Sequence, residues 1–364
     1  MNNPPMTSMI VNVERSTRTS RIATVFFCVA IVVLVSAPAW AGRGQLSMLV
    51  EFFYYLALAE LWNILAGYAG VISLGAQGFI GVGGYALFFF TLNMGWHPLF
   101  AIVAAGIVGL VVAVPGAAVV LRLHGAYLAI ATWVLAEVAR LGFAEMTSLG
   151  AGSGTSLDVD IVRRLDLPFM SRDNVLFLLA LLFAVLTVGL SYLLLCSKYG
   201  LALKSTRDDE TAARSSGINS YGLKLGVFVA SGAGTALIGA LIYLTKLRIS
   251  PASAFDINWT SNIIFIVIIG GIGTLEGPII GTIVFFVLRQ YLSDLGSWYL
   301  IILGALAVVV MLKMPRGLWG AFSYRFDVRL FPTRRNLVLR VSDKVLQSSK
   351  NVGDLHATVT SDAR

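Results

Sequence analysis

Apolar runs of about 20 residues recur along nearly the whole chain, separated by short polar segments. That is the length at which a helix crosses about 30 Å of hydrocarbon with a rise of 1.5 Å per residue. The runs are continuous and do not alternate in polarity, so they read as helices and not as the strands of a barrel. They predict spans at about 22–40, 47–66, 70–93, 98–121, 126–147, 173–195, 224–245, 258–275, 277–293 and 297–313. The expected fold class is all-α: a polytopic transmembrane helical bundle of about ten spans, with eight to ten admitted because the runs near 277–293 are short. The first run follows a basic segment and carries Ala37, Ala39 and Ala41, which also suits a cleavable signal peptide. A retained helix is the preferred reading, and cleavage would remove one span without changing the rest.

Composition agrees with a bilayer as solvent. Of 364 residues, 57% are hydrophobic and 13% charged, where a soluble domain carries about a quarter charged. The net charge of +8 is concentrated in the N-terminal arm, at Arg122, between Lys198 and Lys224, and after Lys313. In a ten-span count all four face the cytoplasm, which places both termini inside. Arg163, Arg164 and Arg172, with Asp158, Asp160, Asp166 and Asp173, run against this bias in an outward loop at about 148–172. The chain then divides into a cytoplasmic arm (1–21), a membrane domain (22–318) with an inward loop (197–223), and a cytoplasmic tail (319–364) expected to begin as a surface helix and end disordered. The basic excess is spent on topology, so the lipid bilayer, and not nucleic acid, is the expected partner.

Enzymatic signatures are absent. The sequence has no G-x-x-x-x-G-K-[ST] phosphate loop and no H-E-x-x-H, and His97, His124 and His356 are scattered. Cys28 and Cys196 fall in or beside apolar runs and imply neither a disulfide framework nor a metal site. No cofactor is expected in this chain, and any ATP driving it must be hydrolysed by another.

Three features carry candidate function. In the inward loop, Asp208, Asp209 and Glu210 precede Ala212 and Ala213, and Gly217 follows. Acidic residues suit the start of a short helix, and glycine its left-handed end, although an ordinary connector has the same pattern. Glycine-rich stretches at Gly67–Tyr85 and Gly270–Gly281 suggest discontinuous helices lining a pathway, or close packing through small residues. Glu60, Asn63, Glu137, Arg140 and Glu276 sit in or at the edge of spans, where a charge costs about 2.5–3.5 kcal/mol. Glu137 and Arg140, three apart, can neutralise each other.

Several motifs in order then resemble one family: LWNILAGYAGVISLG at Leu61, LRLHGAYLAIAT at Leu121, AEVARL at Ala136, RDDETAARSSGIN at Arg207, ISP at Ile249, IIGGIGTLEGPIIG at Ile268 and MPRGLWG at Met314. They are similar to the LivM-like branch of the branched-chain amino-acid ABC permeases. The resemblance implies a permease subunit of an ATP-driven importer of branched-chain or other hydrophobic amino acids, multi-pass in the bacterial inner membrane. It implies a LivH-like partner permease, a periplasmic substrate-binding protein, and two cytoplasmic ATPase subunits that use ATP and Mg. The inward loop resembles the EAA coupling element that docks on the ATPase, which assigns coupling to Arg207, Asp208, Asp209, Glu210, Ala212, Ala213 and Gly217. Its Ala-Ala-x-x-x-Gly part is intact, and Thr211 stands where the name-giving Glu would be. Residues of the substrate path are expected at Asn63, Gly70, Ser73, Gln77, Glu137, Gly271 and Gly273. Family members often show Gln and His where this chain has Val71 and Ala76, and an acidic residue where it has Ala126. That leaves urea or short amides as a second substrate class, although YLAIAT at Tyr127 looks more like the amino-acid branch. An ion-coupled carrier working through Glu60 and Glu137 is the remaining alternative, and it would need no docking helix.

Overall fold

The apolar runs become helices close to their predicted bounds. The computed structural model describes residues 10–14, 18–163, 165, 170–292, 296, 298–314, 316–326, 331 and 336–340. Arg164, Asp166 and the end of the tail, where disorder is expected, lie outside the described residues. The bundle is built from α1 (Arg18–Val35), α2 (Arg43–Asn63), α3 (Ala76–Phe88), α4 (Pro98–Val120), α5 (Ala126–Ala144), a short α6 (Val159–Arg163) and α7 (Arg172–Cys196). It continues with α8 (Lys198–Asp208), α9 (Glu210–Ser215), α10 (Ser220–Lys246), α11 (Pro251–Ala254), α12 (Ile257–Gly270), α13 (Gly277–Leu292), α14 (Trp298–Lys313) and α15 (Gly317–Phe326). Among the described residues, 7 helical segments are long and apolar enough to cross a membrane, and Val25–Ala39 and Gly277–Leu292 are shorter apolar helices. The run expected at 70–93 departs most from a single helix. Gly70 adopts φ +70°, the chain stays non-helical to Gly75, and only 13 residues form α3 before a π-helical turn at Phe89–Asn93.

The centre of the bundle is α2, in which every residue from Phe53 to Glu60 is buried. A helix that is apolar on all sides must be surrounded, and α7, α10, α12 and α13 all pack on it. Helix α10 in turn packs on α3 and α4. The α3–α10 crossing is close enough that a Cβ on Gly83 would meet the Ala236 carbonyl and one on Gly239 the Ile80 carbonyl, the small-residue contact expected of helices packing in lipid. Conversely, α5 buries only Leu128, Thr132 and Ala136 and leaves Tyr127, Ile130, Trp133 and Val138 outward.

Two small strand pairs organise the ends. Strand β1 (Ile10–Glu14) pairs antiparallel with β4 (Asn336–Arg340), Ile10 opposite Arg340, so the arm before α1 and the tail after α15 lie side by side. Neither strand stands out in the polarity pattern, because each is only 5 residues long. At the other end, β2 (Thr155–Ser156) pairs with β3 (Arg248–Ile249) and ties the loop before α7 to the turn after α10.

Candidate coupling and translocation site

The loop between α7 and α10 folds as a capped helical hairpin. Ser197 caps α8, its side chain accepting from Tyr199 N–H. Asp209 caps α9, with Oδ1 accepting from the N–H groups of Thr211 (2.9 Å) and Ala212 (3.0 Å), which satisfies donors that a helix start leaves open. At the other end Gly217 takes φ +81°, and Ile218 N–H reaches the Ala213 carbonyl at 3.1 Å, as in a Schellman close. The glycine stop and the acidic start are where the sequence placed them. Ala213 is buried, whereas Thr211, Ala212, Arg214, Ser215 and Ser216 are exposed, so α9 offers one bare face of small side chains.

Four contacts fasten this hairpin to the bundle. Glu210 lies between Arg214 and Lys224, each at 2.6 Å, and Lys224 belongs to α10. Partial burial opposes the Glu210 charge, but the hydrogen bonds from Lys224 and Arg214 prevail and hold its carboxyl below the usual carboxylate range. Arg207, the penultimate residue of α8, donates from Nη1 to the Gly67 carbonyl at 2.5 Å. Its Nε and Nη2 hold Asp208 Oδ1 at 3.2 and 3.1 Å. Lys204 stands over the Tyr68 ring, 5.6 Å from its centroid, and Thr206 and Ser220 share a buried hydrogen bond of 3.3 Å.

Gly67 belongs to a π-helical turn, Ile64–Tyr68, that ends α2, the kind of irregularity that marks working positions in helices. A second break separates α12 from α13, where Gly271 has φ +131° and Gly273 φ +75°. The structure joins the two breaks through Asn63. Its Oδ1 accepts from Gly273 N–H (2.9 Å), and its Nδ2 donates to the Thr274 carbonyl (2.8 Å). A Cβ on Gly67 would come within 2.5 Å of Gly273 N. Beside this joint lies Glu60, 0% exposed, with neither carboxyl oxygen hydrogen-bonded among the described residues. Glu276 accepts from Phe331 N–H at 3.0 Å, which brings a residue of the tail against the same region.

The expected path residues therefore fall into three places. Asn63, Gly70, Gly271 and Gly273 gather at the joint, where Gly70 also lies against the Arg207 side chain. Ser73 and Gln77 belong to a second polar group between helices. Trp62 Nε1 donates to the Ser73 carbonyl (2.8 Å), Leu74 N–H donates to Thr132 Oγ1 (2.9 Å), and the Thr260 hydroxyl donates to Gln77 Oε1. Glu137 lies away from both, paired with Arg140 at 2.5 Å on the sparsely buried α5. Thr132, Thr260 and Lys224 are not among the residues that the sequence marks as functional candidates. The hydroxyls inside apolar runs were the available signal for the first two. For Lys224, the separation of fourteen residues from Glu210 hid the pairing until α9 and α10 were in place.

Residues 45–311 match the family described as branched-chain amino acid transport system / permease component. The chain is 30% identical over 325 residues to the high-affinity branched-chain amino acid transport system permease protein LivM of Escherichia coli (strain K12), covering 82% of this chain and 76% of that protein. It is 28% identical over 318 residues to the LivM protein of Salmonella typhimurium (strain LT2), covering 80% and 74% respectively. No solved structure matches the chain.

Proposed function

Since the chain belongs to the family of branched-chain amino acid transport permease components, we propose that it is the membrane-spanning subunit of an importer whose ATPase subunits grip α9. The observation that carries this reading is the α8–α9 hairpin. It is capped at both ends, bare on one face, and held to α10 by Lys224 and to the broken end of α2 by Arg207. A push on α9 is thereby delivered to the joint between the two helix breaks, the irregular backbone that in transporters lines a path and not lipid. A LivH-like second permease completes the path, two cytoplasmic subunits hydrolyse ATP with Mg, and a periplasmic binding protein delivers substrate. Family membership speaks against a self-sufficient ion-coupled carrier.

Ten crossings of the inner membrane fit the chain best. The pairing of β1 with β4 favours both ends on one side, hence an even number of crossings. The 7 long segments reach ten when α1, α3 and α13 are added. The helix directions then put α8 and α9 at the cytoplasmic end, with β2 and β3 outside.

A cysteine at Ser215, introduced after replacing the exposed Cys28 and Cys196, tests docking. Ser215→Cys is expected to cross-link to an ATPase subunit in the assembled complex and to react with membrane-impermeant thiol reagents only when the cytoplasmic side is open. Labelling from the outer side would refute the docking role.

A further inference from the structure

At the end of the bundle opposite α9 lies a pocket of about 340 Å³, formed where the starts of α2 and α7 meet the end of α10. Its volume is in the range of small-molecule sites, about 300–1,000 Å³, and its lining mixes both signs of charge with apolar wall. Arg43, Arg172, Lys246, Glu51 and Asp173 line it together with the buried Val50, Tyr54 and Leu176.

These charges are not equally engaged. Glu51 is held by Arg289 at 2.5 Å. The Arg172 guanidinium reaches the last carbonyls of α10, Leu244 at 3.4 Å and Thr245 at 3.2 Å, from Nη2, a favourable place for a cation. Lys246 differs. Its ammonium lies 4.5 Å from the centroid of the Trp259 ring and has no carboxylate within 4.0 Å among the described residues. Asp173 differs likewise. Arg43, its ion-pair partner among the described residues, stands at 4.0 Å with a side chain 91% exposed, a contact worth little to either charge. Beside the largely exposed Arg43, one further cation, Lys246, and one carboxylate, Asp173, each with spare bonding capacity, thus share the pocket with an aliphatic and aromatic wall.

We propose that this pocket is an entry site for a zwitterionic α-amino acid with a branched aliphatic side chain. Lys246 receives the carboxylate, Asp173 receives the ammonium, and Val50, Tyr54 and Leu176 take the side chain. This deepens the importer reading and rests on it, since α9 must be cytoplasmic for the pocket to face the supply of substrate. Lys246 and Asp173 are both open to solvent in the empty pocket, and a ligand that pairs with both is favoured over analogues lacking either charge, because each such analogue forgoes one charge-assisted hydrogen bond. The wall discriminates by size far less sharply.

The test uses the complete transporter in lipid nanodiscs without its binding protein. Binding of L-leucine, leucinamide (no carboxylate) and 4-methylpentanoate (no ammonium) is measured for wild type, Lys246→Met and Asp173→Asn. Membrane abundance and the elution of the assembled complex report folding of each variant. Wild type is expected to bind leucine at least tenfold tighter than either analogue. Lys246→Met is expected to erase the preference over leucinamide alone, and Asp173→Asn the preference over 4-methylpentanoate alone. Absence of leucine binding to wild type, or preferences unchanged in both variants, overturns the site. ATP-dependent leucine uptake by wild type with its binding protein is scored separately, so the site can fail while the importer stands.

Discussion

Arg207→Ala is expected to separate ATP hydrolysis from transport. In the intact protein the guanidinium bridges the α8–α9 hairpin and the Gly67 carbonyl at the end of α2, a charge-assisted bond of the stronger kind. Removing it leaves a carbonyl without its partner, at a cost of about 1–3 kcal/mol. Coupling energies of that size correspond to roughly 5- to 150-fold. Uptake per ATP hydrolysed, measured on the reconstituted complex, should fall by that factor while hydrolysis continues. Arg207→Lys should keep part of the coupling, because a lysine ammonium can donate to the carbonyl but lacks the planar fork that also holds Asp208. An unchanged transport-to-hydrolysis ratio in Arg207→Ala would remove this contact from the mechanism.

Gly67→Ala is expected to be the most damaging small substitution in the membrane domain. Its Cβ would lie 2.5 Å from Gly273 N and 2.6 Å from Asn63 Oδ1, atoms joined to each other by a hydrogen bond of 2.9 Å, while Asn63 Nδ2 is fixed at 2.8 Å on the Thr274 carbonyl, so neither can yield singly. Overpacking of this kind costs about 1–3 kcal/mol, and here it drives apart the two helix breaks that Asn63 joins. Gly142→Ala on α5 is the control, since nothing lies within 4 Å of its Cβ and alanine is the better helix former by about 1 kcal/mol. Leucine uptake normalised to protein in the membrane should collapse for Gly67→Ala and hold for Gly142→Ala. Equal uptake in the two variants would show that the joint tolerates separation.

Both predictions depend on contacts between distant parts of the chain, and that is where the sequence becomes silent. The spans were legible because lipid demands long apolar runs: α4, α7 and α14 begin and end within a residue or two of their predicted bounds. The ends of α9 were legible because capping is local, an acid before the helix and a glycine after it. The glycine-rich stretch after Gly67 was seen as special, yet its two meanings, packing and an open break, divide by position. Gly83 serves packing against α10, and Gly70 serves the break. No local rule connects Arg207 with Gly67, or Asn63 with Gly273, across 140 and 210 residues. Glu137 attracted attention as a charge within a span, but its neighbour Arg140 already satisfies it. The outer pocket was missed for a related reason: its acids and bases lie at helix ends, where charge is expected and unremarkable.

The central proposal is that a motor outside this chain acts through α9. Purified permease subunits are sealed into vesicles with ATPase subunits and ATP enclosed, the binding protein is added outside, and accumulation of labelled leucine is followed. Accumulation that needs both the ATPase subunits and hydrolysable ATP, and that disappears when the exposed face of α9 is blocked by Ala212→Arg, is the predicted result. Accumulation by the permease subunits alone, driven by an ion gradient, would contradict it.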